Sequence, residues 1–513
     1  MRKKNISILI SLLTAVLLLS SCATADFSGV SSSVTRGNYT EARRTLEAHK
    51  DSLYTENDKV LYNLDAGLLS HYSGDWNQSN KNFSTAENLI EQYYSKSISQ
   101  GISSYFVNDM VVDYSGEDYE DIYTNFFMAL NYIHLGKFDD AMVEIRRFDN
   151  KQKLLSTKYE SQLEYASNEL GSDYDTSIQF QNSAAARYLS MLLYRANGQP
   201  DSAEVDRKLL YRAFDEQPSL YNFRVPNSVE EELSVPKGQA RLNFVCFTGQ
   251  APVKVEDTSR IYIGDGVYCK IAFPLMVDRG SSVSSISVDV YNEAGEVVSN
   301  SRIENRTVEV PPQDYTSESK DADSSRSSAA RARALAMGIA QEEAAPRSKS
   351  NLEKWSAKSS EPEVVVSVDE NDFVGNTTLE KIESIENIAL DTFIQHSNVI
   401  YSRAMIRAIG KTAKTGLLSL ASDLTDDAGL SSLFSVLSFA SQVTDEITEQ
   451  ADLRTSRFFP ANIYVGGITL NPGVYTVVVT FRGSSGQVLS TNSYESVNVT
   501  AKSINLVEAI CAR

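Results

Sequence analysis

Cysteine, histidine and tryptophan are scarce in this 513-residue chain, with four, four and two copies. Four cysteines are too few for a disulfide scaffold. The chain holds no Cys-x-x-Cys pair and no His-Glu-x-x-His run, and His49, His71, His134 and His396 are scattered. That excludes the usual sequence signatures of zinc sites and redox dithiols. The strand-to-helix elbow Gly-x-Ser-x-Gly is missing as well. Gly410-Lys411-Thr412 resembles the end of a phosphate-binding loop, but Met405 stands where that loop needs its first glycine, and the segment reads as helix interior. Basic residues are outnumbered, 48 against 67 acidic, for a net charge of −19. Nucleic acid and anionic lipid headgroups are therefore excluded as partners. After the N-terminus no apolar run approaches the roughly 20 residues of a membrane-spanning helix. These absences point to a non-enzymatic protein with no cofactor, no metal site and no assignable catalytic residue. An enzyme whose site assembles across domains is the reading they leave standing.

What is present begins at the N-terminus. Arg2, Lys3 and Lys4 precede an apolar stretch, Ile6 to Leu19, and then Leu19-Ser20-Ser21-Cys22. Positive start, short apolar core and small residues before a cysteine, in that register, resemble the lipobox of bacterial lipoproteins. Residues 1–21 read as a signal peptide and Cys22 as the lipidated N-terminus. The plainer alternative is an ordinary secretory signal with a chance cysteine. Two or more acyl chains anchor stably where one does not, so lipid on Cys22 would tether the chain to a membrane. Ala23, in place of Asp, resembles an outer-membrane address. Removing the three basic residues of the signal takes the net charge from −19 to −22. Cys246, Cys269 and Cys511 then remain, enough for at most one pair. A Cys246–Cys269 bridge and two reduced, buried thiols both fit.

Residues 22–30 read as a tether and 31–225 as a helical domain. One pattern recurs in it: Gly37-Asn-Tyr39-Thr-Glu-Ala42, Gly74-Asp-Trp76-Asn-Gln-Ser79, Gly136-Lys-Phe138-Asp-Asp-Ala141 and Gly198-Gln-Pro200-Asp-Ser-Ala203. It looks like the turn between the two helices of a tetratricopeptide repeat, with Gly closing one helix and a small residue letting the next approach. Tyr39, Trp76, Phe138 and Tyr132 read as core positions. A generic helical array with glycine turns is the alternative. Stacked helix pairs of this kind offer a concave face to protein segments. Asp113 to Asp121 reads as an acidic helix start rather than a calcium loop, because the ligand spacing is absent.

The second half alternates in the manner of strands. Residues 237–312 read as the first part of a β-sandwich, immunoglobulin-like or transthyretin-like, 363–370 as a further strand and 458–513 as its last part. Strands are expected at Ala240–Phe247, Arg260–Ile263, Tyr268–Phe273, Ile286–Val290 and Val474–Phe481, with two more near Gln487–Tyr494 and Val497–Val507. Residues 313–362, rich in Ser, Ala and charge, read as a disordered linker. Residues 371–457 read as a helical insertion, with Leu379, Ile382, Ile385, Ile388 and Ala389 as an apolar stripe. Gly429 to Val443 reads as a buried helix. Arg403, Arg407, Lys411 and Lys414 fall on one helical face and are the candidate anion-binding stripe. Pairing with the protein's own acidic surface is its plainer explanation.

Several segments in order are similar to a family of bacterial lipoproteins with tetratricopeptide-like N-termini. They are Tyr114-Ser-Gly-Glu-Asp-Tyr119-Glu120, Asn131-Tyr132-Ile-His-Leu-Gly136 with Ala141 to Arg147, Thr248-Gly249-Gln-Ala-Pro252-Val-Lys254, Ile271-Ala-Phe-Pro274, Arg403 to Lys411, Ala451-Asp452-Leu453-Arg454-Thr455, and Pro460. The resemblance implies surface or periplasmic placement and no catalytic residues. It departs at Ser456, where the family pattern has Trp. The expectation is thus a multidomain α + β chain: a lipid-anchored helical array followed by a β-sandwich with a helical insertion. Its expected role is scaffolding or assembly at the cell envelope, with an envelope protein as partner. Peptidoglycan or another carbohydrate, bound by the sandwich, is the alternative.

Overall fold

The structure is a computed structural model that describes residues 25–100, 112–170, 178–264, 267–292, 372–414, 448–449 and 451–513. It is mixed α/β, with helices first and three small, mostly antiparallel sheets after them. The signal peptide, Cys22, the linker 313–362, the strand expected at 363–370 and the 429–443 segment all fall outside the described residues.

The helical part is a series of hairpins: α1 (Ser28–Thr35) with α2 (Tyr39–Ala48), α3 (Lys59–Tyr72) with α4 (Trp76–Gln100), α5 (Asp118–His134) with α6 (Phe138–Lys158), and α8 (Ala184–Ala196) with α9 (Pro200–Glu216). Helix α7 (Glu160–Leu170) follows α6. The four turns share one construction. Gly37, Gly74, Gly136 and Gly198 all take positive φ, between 69° and 79°. In each, the residue after the glycine donates its N–H back five residues, as Asn38 does to Ser33 and Gln199 to Tyr194. This crossed pair of bonds satisfies the carbonyls a helix end leaves open, and the left-handed residue it needs favours glycine. Ala42, Ser79, Ala141 and Ala203, five residues after each glycine, are fully buried, which lets the paired helices close. Of the residues read as core, Tyr39 is buried and Tyr132 and Phe138 are partly so.

The sheets explain why the helices lie where they do. One sheet runs β11 (Asn505–Cys511), β1 (Ala240–Thr248), β8 (Asn462–Leu470), β6 (Glu380–Ser384). A second runs β10 (Val488–Val499), β9 (Gly473–Arg482), β4 (Ser285–Asn292), β5 (Phe373–Thr378). Every residue of β1 is buried, because its two faces serve two cores. Leu242, Phe244 and Cys246 pack with Ile286, Val288, Val477, Val479 and Phe481 of the second sheet. Val245 and Phe247 point the other way, into the core of the helical layer, where Phe247 lies 5.2 Å from the ring of Phe127. The molecule is therefore layered: helices, first sheet, second sheet. A third sheet, β2 (Val253–Gly264), β3 (Val267–Val277) and β7 (Thr448–Glu449), packs against helix α10 (Ile385–Lys414), where the Tyr401 hydroxyl donates to the Pro274 carbonyl at 3.3 Å.

Two expectations need correction, and one open alternative is decided. The segment 371–457 does not open as a helix. Phe373–Thr378 and Glu380–Ser384 are strands, and helix begins only at Ile385. Leu379, Ile382 and Ile385 recur every three residues, as in a helix, but the run crosses a strand-to-helix junction. The last two strands also differ. β10 is one strand through Val499, bulged between Tyr494 and Val497, and β11 starts at Asn505. Finally, Cys246 and Cys511 are free, buried thiols on adjacent strands, so Cys246 is in no disulfide.

Candidate functional site

The residues between β7 and β8, Ala451 to Ala461, carry no helix or strand. They lie against the helices as an extended strap. The grip begins at the N-terminus of α5. Glu117 is its N-cap, and Glu120 reaches back to accept from the Glu117 N–H at 2.9 Å. That capping box orients the Glu120 carboxylate, which also accepts from the Tyr114 hydroxyl at 2.7 Å. Its other oxygen accepts from the strap: the Ser456 N–H at 2.6 Å and the Thr455 hydroxyl at 3.1 Å. One turn of chain further, Asp65 of α3 accepts from the Ser456 hydroxyl at 2.7 Å and the Arg457 N–H at 3.0 Å. Tyr72 donates to the Phe458 carbonyl at 2.9 Å. The Arg454 guanidinium reaches Asp58 at 3.3 Å, that of Arg457 lies 4.2 Å over the ring of Phe27, and the Phe459 ring sits beside Tyr119 and Phe127. Carboxylates and phenols thus hold the polar backbone and the cations, and an aromatic pocket takes the end.

Beside the strap, Glu117 joins three elements. The Lys254 ammonium meets it at 2.6 Å and His396 of α10 at 3.0 Å, while His396 stacks on Tyr159. All of Glu117 and Lys254 is buried. Burial would raise the Glu117 carboxyl, but the charges of Lys254 and His396 outweigh it and hold it well below the carboxylate range. Glu120 is the opposite case: burial and the neighbouring Glu117 charge push it up to about 7. Burial likewise raises Asp65, against the hydrogen bonds it receives.

A second cluster lies where α3, α4, α5 and β11 meet. Glu508 of β11 sits between His71 at 2.9 Å and His134 at 2.6 Å. The His71 contact is an ion-pair approach off the hydrogen-bond axis, while His134 makes a hydrogen bond. Trp76 stacks on His134 at 4.3 Å. Burial alone would raise Glu508; the two imidazoles, His134 first, bring it down to about 2.

The structure brings together what looked separate. Tyr114–Glu120, Thr248–Lys254 and Ala451–Thr455 converge on Glu117 and Glu120, and three of the four histidines read as scattered enter two clusters, His71 and His134 at Glu508 and His396 at Glu117, while His49 stays apart at the end of α2. Sequence alone gave no sign of this, since Glu120 and Ser456 are 336 residues apart and His134 and Glu508 are 374 apart. Of the basic stripe, Arg403 is half-buried and donates to Gln162 of α7 at 3.4 Å. Arg407, Lys411 and Lys414 follow on α10, described by their backbone alone. A half-open depression of about 490 Å³ lies beside Asn182 and Gln217, but its cations are engaged, Arg187 with Asp149 and Arg212 with Glu216. Among the described residues no group of three or more His, Cys, Asp and Glu is placed to hold a metal ion, and no helix is long and apolar enough to cross a membrane. No protein family, curated protein or solved structure matches the chain.

Proposed function

We propose that this is a lipid-anchored cell-envelope protein with a non-enzymatic holding role, tethered through Cys22, whose helical hairpins resemble tetratricopeptide repeats and bind protein segments. The observation that carries this reading is the grip of α3 and α5 on an extended stretch of the chain itself, residues 454–459. Stacked helix pairs leave a surface suited to holding a protein segment, and here carboxylates take backbone N–H groups of such a segment, with an aromatic pocket beyond them. The groove that holds the strap is filled, so a partner meets the outer side of the helices. There Val143 and Leu154, three turns apart on α6, are exposed apolar residues. Sheet binding to peptidoglycan is the second reading. It is favoured by the half-exposed ring of Phe373, packed edge-on against Tyr291 at the border of the second sheet.

A photoreactive residue at Leu154 in living cells tests the first reading. A discrete adduct with one envelope protein, lost when Cys22→Ala removes the anchor, is the expected result. If Leu154 gives no adduct while the purified chain sediments with cell-wall sacculi, and Phe373→Ala abolishes that binding, the sheet reading replaces it.

A further inference from the structure

We infer that the end of the helical array where α1, α3 and α5 begin lies on the bilayer, with Val112 and Leu453 against its lipid, a placement that rests on the Cys22 anchor proposed above. The tether is short. From Cys22 to Phe27 the chain advances five residues, at most about 17 Å when fully extended. Phe27 is fixed in the array. It is buried, its ring packs edge-on against Tyr54 at 5.4 Å, and the Arg457 guanidinium covers it at 4.2 Å. Two or more acyl chains on Cys22 stay in the membrane, so Phe27 is held within about 17 Å of the anchored cysteine.

The helices show which end this is. Asn57, just before α3, accepts from the N–H of Tyr114, just before α5, at 2.8 Å, and Tyr54, beside Phe27, belongs to the same lead-in to α3. The starts of α1, α3 and α5 therefore lie side by side. The glycine turns close the far ends, about 21 Å away along the 14 residues of α3 and about 25 Å along the 17 of α5. The tether is shorter than either helix, so an upright array with its turns on the bilayer is out of reach. The near end also presents apolar surface. Val112 and Leu453 are 39% and 40% exposed. Both adjoin Arg454, whose guanidinium donates to the Val112 carbonyl at 3.0 Å and reaches Asp58 at 3.3 Å. Charges around them are matched in place: Lys59 with Glu56 at 3.1 Å, Lys96 with Asp113 at 3.5 Å and Arg454 with Asp452 at 2.8 Å. In a chain of net charge −19, such an end meets uncharged lipid without repulsion and draws on no anionic headgroup.

The test uses the full mature lipoprotein, purified from membranes and reconstituted in vesicles of phosphatidylcholine and phosphatidylethanolamine. A benzophenone side chain is placed at Leu453, at Val112 or at Lys137 beside the Gly136 turn. Irradiation followed by mass spectrometry reads phospholipid adducts. The expected result is adducts at 453 and 112 and none at 137. Adducts at neither near-end position, or equal yields there and at 137, in vesicles that carry the protein overturn the placement and leave the anchor standing. A chain that does not float with the vesicles and lacks the mass of a diacylglycerol on Cys22 overturns the anchor, and the placement with it. Leu453 and Val112 lie on separate segments, so either position decides the outcome should the other variant not fold.

Discussion

At Gly67 a single hydrogen stands where any other residue carries a methyl group or more. A Cβ built there would lie 2.7 Å from the ring of Phe83, which is fully buried and cannot swing away. Helix propensity favours alanine over glycine by about 1 kcal/mol, but forcing a carbon into a packed ring costs about 1–3 kcal/mol. Gly67→Ala is therefore predicted to lower stability by up to roughly 2 kcal/mol in urea unfolding, the reverse of the usual helix substitution. Glu508 makes a residue-scale prediction on the acid side. Its carboxyl is held at about 2, below the 4.5 of an unperturbed Glu. A depressed carboxyl contributes fully above its unfolded value and loses that contribution as pH falls through the folded one. The stability advantage of wild type over Glu508→Gln is thus expected to shrink as pH falls from about 4.5 toward 2. A difference that is constant over that range would contradict the ion-pair assignment.

Among the elements, the strap carries the most consequence for its length. Phe459 is fully buried between Tyr119 and Phe127, and truncation of such a ring costs about 3–5 kcal/mol. Phe459→Ala is predicted to lower stability by that order and to expose Arg454 and Arg457 to trypsin, measured by limited proteolysis at a temperature where the variant remains folded. Resistance equal to wild type would mean the strap is held without its aromatic end. How far each element was legible follows from how local its cause is. The hairpin turns were readable because a left-handed glycine and a small residue five positions later lie within one short stretch. β4 and β9 were readable because one face is buried and the other is not. β8 was missed: it is buried on most of both faces, and Gly466 and Gly467 interrupt its run. β6 was misread because Ile382 and Ile385 keep helical spacing across a junction. The capping box at Glu117 and Glu120 was visible as a helix start, but its partners on the strap come from a distant part of the chain.

On the scale of the whole molecule, the helical array and the β-domain are one body. A single apolar cluster runs from Val30 and Leu64 through Phe127 to Phe247, Phe459 and Ile510. The ion pairs Lys254–Glu117 and His134–Glu508 cross the same boundary. The strap fills the groove between α3 and α5, so under the proposed holding role a partner would meet the outer face. Glu117 without Lys254 and His396 would be an uncompensated buried charge, a loss of about 3–5 kcal/mol, so the two parts are built to stand together. The most direct test is pulsed amide exchange through a urea titration of the full chain. The account predicts that α3, α5, β1 and β8 lose protection at one common urea concentration. Persistence of the helical hairpins after β1 and β8 have opened would contradict it.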